Sequence, residues 1–141
     1  MLNFLIPLHP KLVHFPIALF VTALIFETLS RLTKKTLLSE AAILVYCFAA
    51  ALTPIVVYTG LSEQTRLHLN HPVLTQHKNF GFLTMWISVG SLPLLWLMRK
   101  ASEKIFRNFF FLLLLILTLS VTCTAYFGGK MVYEYSAGVA S

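Results

Sequence analysis

Apolar residues dominate this chain in four long runs separated by short polar stretches. The runs cover about Leu12–Leu32, Glu40–Gly60, Asn79–Met98 and Phe106–Phe127. Each matches the roughly 20 residues that a helix needs to cross the hydrocarbon of a bilayer. Lipid supplies no partners for backbone N–H and C=O groups, so such runs must be helical. The pattern predicts an all-α integral membrane four-helix bundle with up-down-up-down connections, in one domain over residues 1–141. Gly60 and Gly128-Gly129 are the expected helix ends. A long loop from Ser62 to Lys78 is expected to join the two hairpins.

Composition strengthens this reading. Hydrophobic residues make up 57% of the chain and charged ones 11%, against about 25% charged residues in soluble domains. The net charge of +6 does not indicate nucleic-acid binding, because the basic residues flank apolar runs and form no stripe. Arg31, Lys34 and Lys35 follow the first run, and Arg99, Lys100, Lys104 and Arg107 follow the third. Lys11, Arg66, Lys78 and Lys130 lie on the other side. The excess of basic residues marks the cytoplasmic side, so both termini are expected in the periplasm of a bacterium, with the chain in its inner membrane. Trp96 and Tyr126 suit interfacial anchoring. The N-terminus lacks the basic region of a cleaved signal peptide. Cys47 and Cys123 lie inside apolar runs and read as small buried hydrophobes.

The five histidines carry the candidate chemistry. His9, His14, His68, His71 and His77 all fall on the predicted outer side. Polar residues collect in loops in any membrane protein, which accounts for His68 and His71. It accounts less well for His14 and His77, which sit at helix starts. Pro16 removes a backbone donor just after His14 and disturbs the first turns there. Gly81 allows close approach one turn beyond His77.

The two halves also echo one another. His9-Pro10-Lys11-Leu12-Val13-His14 opens the first hairpin, and His71-Pro72-Val73-Leu74-Thr75-Gln76-His77 opens the second. Tyr58-Thr59-Gly60 and Tyr126-Phe127-Gly128 close them. A parallel duplication about an axis along the membrane normal would pair His14 with His77, and His9 with His71 nearer the water. Glu63, Glu134, Tyr58 and Tyr133 lie on the side from which a ligating imidazole could be oriented. Glu27 is an intramembrane carboxylate and hence a functional candidate, but Arg31 at i+4 makes a structural ion pair the simpler reading. Pro54 and Pro93 are expected to kink the second and third helices. Nucleophile triads, paired carboxylates, phosphate-binding glycine loops and CxxC or HExxH motifs are all absent.

The opening His9-Pro10-x-x-Val13-His14-Phe15-Pro16-Ile17-Ala18-Leu19 resembles that of the small bacterial membrane proteins grouped as domain of unknown function 2231 (DUF2231). Gly128-Gly129-Lys130-Met131-Val132-Tyr133, with Gly138-Val139, resembles the family's closing motif. Gly60, His77 and Glu27 stand where the family tends to carry a glycine, a histidine and an acidic residue. The family often has a further histidine and glycine after its Val-Tyr, where this chain has Tyr135 and Ser136. The resemblance implies a four-helix membrane domain, often found beside respiratory or cytochrome modules.

Three functions are compatible with the sequence. The first is a b-type cytochrome, with haem b held by His14 and His77, and His9 and His71 as a second pair or as support. It would pass electrons between quinone and a periplasmic redox partner. The second is a copper, zinc or iron ion held by the same four histidines. The third is a cofactor-free assembly subunit of a respiratory complex, alone or as an oligomer. All three are electron-transfer, binding or assembly roles, and none is that of a stand-alone enzyme.

Overall fold

The computed structural model describes residues 8–68, 70–100 and 102–135. It is built of helices α1 (Leu8–Leu12), α2 (His14–Thr33), α3 (Thr36–Leu67), α4 (Pro72–Met98) and α5 (Glu103–Tyr133), and no strand occurs among the described residues. The segments Leu8–Thr33, Thr36–Arg66, Pro72–Met98 and Glu103–Tyr133 are each long and apolar enough to cross a membrane. The chain is a multi-pass membrane protein of the all-α bundle class that its apolar runs predict.

The break between α1 and α2 at Val13 follows from Pro16. Proline has no N–H for the Leu12 carbonyl, and its ring crowds that same carbonyl. Pro54 leaves the Ala50 carbonyl without its helical partner in α3. The Thr53 hydroxyl donates to that carbonyl at 2.8 Å and the helix continues. α4 opens with Pro72 at its first position, where a missing N–H costs nothing. His71 is its N-cap, and its Nδ1 accepts from the Val73 N–H at 3.2 Å.

The helices outrun their sequence-based boundaries. α3 continues through Gly60 to Leu67, and α5 continues through Gly128 and Gly129 to Tyr133. Neither glycine site ends a helix. The expected loop from Ser62 to Lys78 is likewise mostly helix, with the connection confined to residues 68–71. His68 turns the chain there in a left-handed conformation (φ 50°), with its N–H donating to the Gln64 carbonyl.

Sequential helices form two hairpins, α2–α3 and α4–α5, and the bundle closes where α2 packs on α5 and α3 on α4. Phe20, Tyr46, Phe110, Leu114 and Leu117 fill its centre. Ala42, Ala49 and Ala50 join Tyr46 on the fully buried face of α3, while Leu44, Phe48 and Ile55 of the same helix face outward. Large residues outside and small ones inside are expected when lipid is as apolar as the core and helices associate by close packing. Cys47 is exposed on this outer surface, contrary to the buried position expected for it, and both cysteines are free thiols. Buried hydroxyls tie neighbouring helices together. Tyr46 donates to the Ser88 carbonyl at 2.7 Å, and the Thr84 and Ser120 hydroxyls pair at 2.8 Å.

Candidate functional site

At one end of the bundle, where α1, α3, α4 and α5 converge, His9 and His77 face each other. Their ring centres are 6.0 Å apart with planes at 87°. Each imidazole is fixed in the same way. His9 Nδ1 donates to the Val56 carbonyl of α3 at 3.1 Å, with the Thr59 hydroxyl also 3.3 Å away. His77 Nδ1 donates to the Thr124 carbonyl of α5 at 2.8 Å. Both bonds span 47 residues of sequence. A carbonyl can only accept, so Nδ1 carries a proton in each ring, and in the neutral form the Nε2 lone pair is left as an acceptor.

The glycines that were expected to stop helices seat these rings instead. A Cβ on Gly60 would stand 2.9 Å from His9 Cε1, and one on Gly128 would stand 3.1 Å from His77 Cε1. His9, Val56 and Gly60 thus have His77, Thr124 and Gly128 as counterparts, each 68 residues further on. The hairpins are a structural repeat, and its register differs from the one that aligns His14 with His77. Tyr58-Thr59-Gly60 and Tyr126-Phe127-Gly128 are also 68 residues apart. That closing motif held the correct register, whereas the opening histidines misled.

The other predicted ligands lie elsewhere. His14 is exposed, and its side chain makes no hydrogen bond, ion pair or ring contact among the described residues. The reason is helical geometry: the turn at Val13 separates His14 from the face that carries His9. His71 is occupied as the α4 N-cap, and its ring lies 4.1 Å from that of Tyr135. It does not pair with His9. Among the described residues no three His, Cys, Asp or Glu side chains converge on a point that could hold a metal ion. The four-histidine cluster is therefore replaced by one pair. Gly81 makes no close approach, since a Cβ there would meet Thr124 Cγ2 at an ordinary 3.9 Å. The carbonyls that orient the rings were not among the acceptors expected. Glu63 pairs with Arg66 and Glu134 with Lys130, while Tyr58 and Tyr133 are exposed.

A cavity of about 110 Å³ adjoins the pair, lined by both histidines, by apolar residues such as Val13, Val57 and Phe82, and by Glu63, Lys78 and Met131. A smaller one of about 40 Å³ lies next to it and shares Val13, Val56, Val57, Gly81 and Thr124. Val13 and Gly81, Pro16 and Thr84, Thr53 and Val121, and Val56 and Thr124 line it as equivalent pairs, so it lies on the axis of the repeat.

The opposite end is closed by charge. Glu27 is fully buried. It accepts from Arg31 Nε at 3.0 Å, from the Ser39 hydroxyl at 2.6 Å and from Arg107 at 3.4 Å. Arg31 also reaches Asn108 and the Arg107 carbonyl, and Arg107 reaches Ser30. The expected Glu27–Arg31 pair is present, within a network that sequence spacing alone does not disclose.

The fold and this paired site define a polytopic membrane protein with one imidazole pair on the axis of an internal repeat. Residues 5–141 match the family model described as "Predicted membrane protein (DUF2231)", and the chain belongs to that family. No curated protein and no solved structure matches it.

Proposed function

We propose that this protein is a bacterial inner-membrane protein that holds a transition-metal centre between His9 and His77 at its periplasmic end. The paired geometry carries the reading. Two neutral imidazoles, each with Nδ1 tied to a main-chain carbonyl, offer two Nε2 donors and the outer-sphere support that ligating histidines need. Metal–nitrogen bonds of about 2.0–2.1 Å on opposite sides of an ion put imidazole centres roughly 6 Å apart, in keeping with the observed 6.0 Å. Imidazole suits copper, zinc, iron and nickel. The orientation rests on the seven Lys and Arg residues in the two connections at the Glu27 end, against four at the histidine end.

Haem b iron held by the same two residues is the second reading, favoured by the opposed rings. It would make the protein an electron carrier between quinone and a periplasmic partner. The cavity of about 110 Å³ is below the roughly 300–1,000 Å³ of small-molecule pockets. A porphyrin therefore requires the helix ends to part, whereas a bare ion does not. An absorption spectrum with and without dithionite, together with elemental analysis of the detergent-purified protein, tests both readings. Bound copper, zinc or iron without a Soret band supports the ion, and a Soret band that shifts on reduction supports haem. A metal-free, colourless preparation from cells supplied with haem and trace metals, which also takes up no ion afterwards, contradicts both.

A further inference from the structure

We infer that Met131 completes the site and makes it selective for monovalent copper; this rests on the His9–His77 reading. One helical turn beyond each ring-seating glycine, on the same side of its helix, the repeat places a residue that lines the cavity. In the first hairpin this is Glu63, three residues after Gly60; in the second it is Met131, three residues after Gly128. Equivalent positions thus carry a hard carboxylate and a soft thioether. The carboxylate has a partner already, because Arg66 Nη2 donates to it at 2.5 Å. Gln64 also lines the cavity and has an interaction of its own, and the Met131 thioether is the soft donor in the lining.

Two neutral imidazoles and a thioether form an uncharged, partly soft ligand set. Thioethers select Cu(I), while carboxylate, carbonyl and water suit harder ions. The surrounding wall is largely apolar and stabilises charge poorly. Lys78 lines the same cavity, and its repulsion on a divalent ion is twice that on a monovalent one. A monovalent ion of low coordination number meets each of these conditions, whereas Zn²⁺ is suited by the two imidazoles but not by the thioether, the apolar wall or Lys78.

The test is an anaerobic titration of the metal-free, detergent-purified protein with Cu(I), and separately with Zn(II), against chromophoric chelators. Wild type is expected to take up Cu(I) and to leave Zn(II) with its chelator. Met131→Leu is expected to weaken Cu(I) binding by about tenfold or more, and His14→Ala, at an exposed position outside the cavity, to leave it unchanged. X-ray absorption of the copper-loaded wild type is expected to show a sulfur scatterer, which reads Met131 without relying on the variant. Equal Cu(I) affinity in wild type and Met131→Leu, or copper without a sulfur neighbour, overturns the inference. Zn(II) bound more tightly than Cu(I), and lost in His9→Ala, overturns copper selectivity but keeps the two-histidine site. Failure of wild type to bind either ion removes both.

Discussion

The two ends of this bundle use buried polar groups in opposite ways. At the Glu27 end the carboxylate is surrounded by donors, two guanidinium groups and a hydroxyl, and little of its hydrogen-bonding capacity remains. At the histidine end each imidazole uses Nδ1 on a main-chain carbonyl, and the two rings meet edge to face beside a cavity that both line. A saturated network fixes structure, and a half-used pair beside a cavity is able to bind. An ionisable residue inside a membrane is a functional candidate by default, but here satisfaction of its partners decides between the two roles.

The largest expected effect on stability lies at the saturated end. Glu27→Ala strips the anion from between Arg31 and Arg107 and leaves two cations facing each other. Removing one partner from a buried charge network costs about 3–5 kcal/mol, and the lower end applies because both guanidinium groups are partly exposed. Thermal unfolding in detergent should show this loss, with metal content per folded molecule unchanged. A metal-free but stable Glu27→Ala protein would erase the distinction between the ends.

Gly60→Ala should behave conversely. Its Cβ meets His9 Cε1 at 2.9 Å, so the ring must move and its bond to the Val56 carbonyl is broken or lengthened. Alanine gains up to about 1 kcal/mol of helix propensity over glycine, which offsets the lost hydrogen bond of about 1 kcal/mol. Stability should change little while metal affinity falls. Gly128→Ala should repeat this more weakly, given its 3.1 Å approach to His77. Gly129→Ala meets open space and should leave binding untouched. Equal binding by Gly60→Ala and Gly129→Ala would show that the seated ring is not a ligand.

Smaller still is Tyr46→Phe, which deletes the hydroxyl that bridges α3 to the Ser88 carbonyl and Ser91. Interhelical hydrogen bonds in membranes average about 0.6 kcal/mol, with a maximum near 1.7 kcal/mol. A thermal shift of that size, without an effect on metal binding, is expected.

The class of fold was legible because apolar runs of spanning length admit only helices. Helix ends were less legible: Gly60 and Gly128 read as stops, yet each continues a helix and makes room for an imidazole. Glycine serves both purposes, and only the tertiary partner separates them. Which face of each helix is buried was also hidden, because Leu44 and Phe48 on the lipid side are more hydrophobic than Ala49 and Ala50 on the core side. His77 does stand opposite another histidine, but that partner is His9 and not the His14 expected from the opening motifs. The motif spacing of the openings suggested one register and the Tyr-x-Gly closings another. The closings were the better guide because they sit within continuous helix, whereas the first opening is interrupted at Val13. Arg107 lies 80 residues from Glu27, and no local pattern connects them.

The most direct test of the central claim is the metal content of wild type, His9→Ala, His77→Ala and His14→Ala after metal loading and equilibrium dialysis. Retention of the ion by wild type and His14→Ala, with loss from both His9→Ala and His77→Ala, is the predicted result. Loss from His14→Ala with retention by His9→Ala would contradict the account and restore the register in which His14 faces His77.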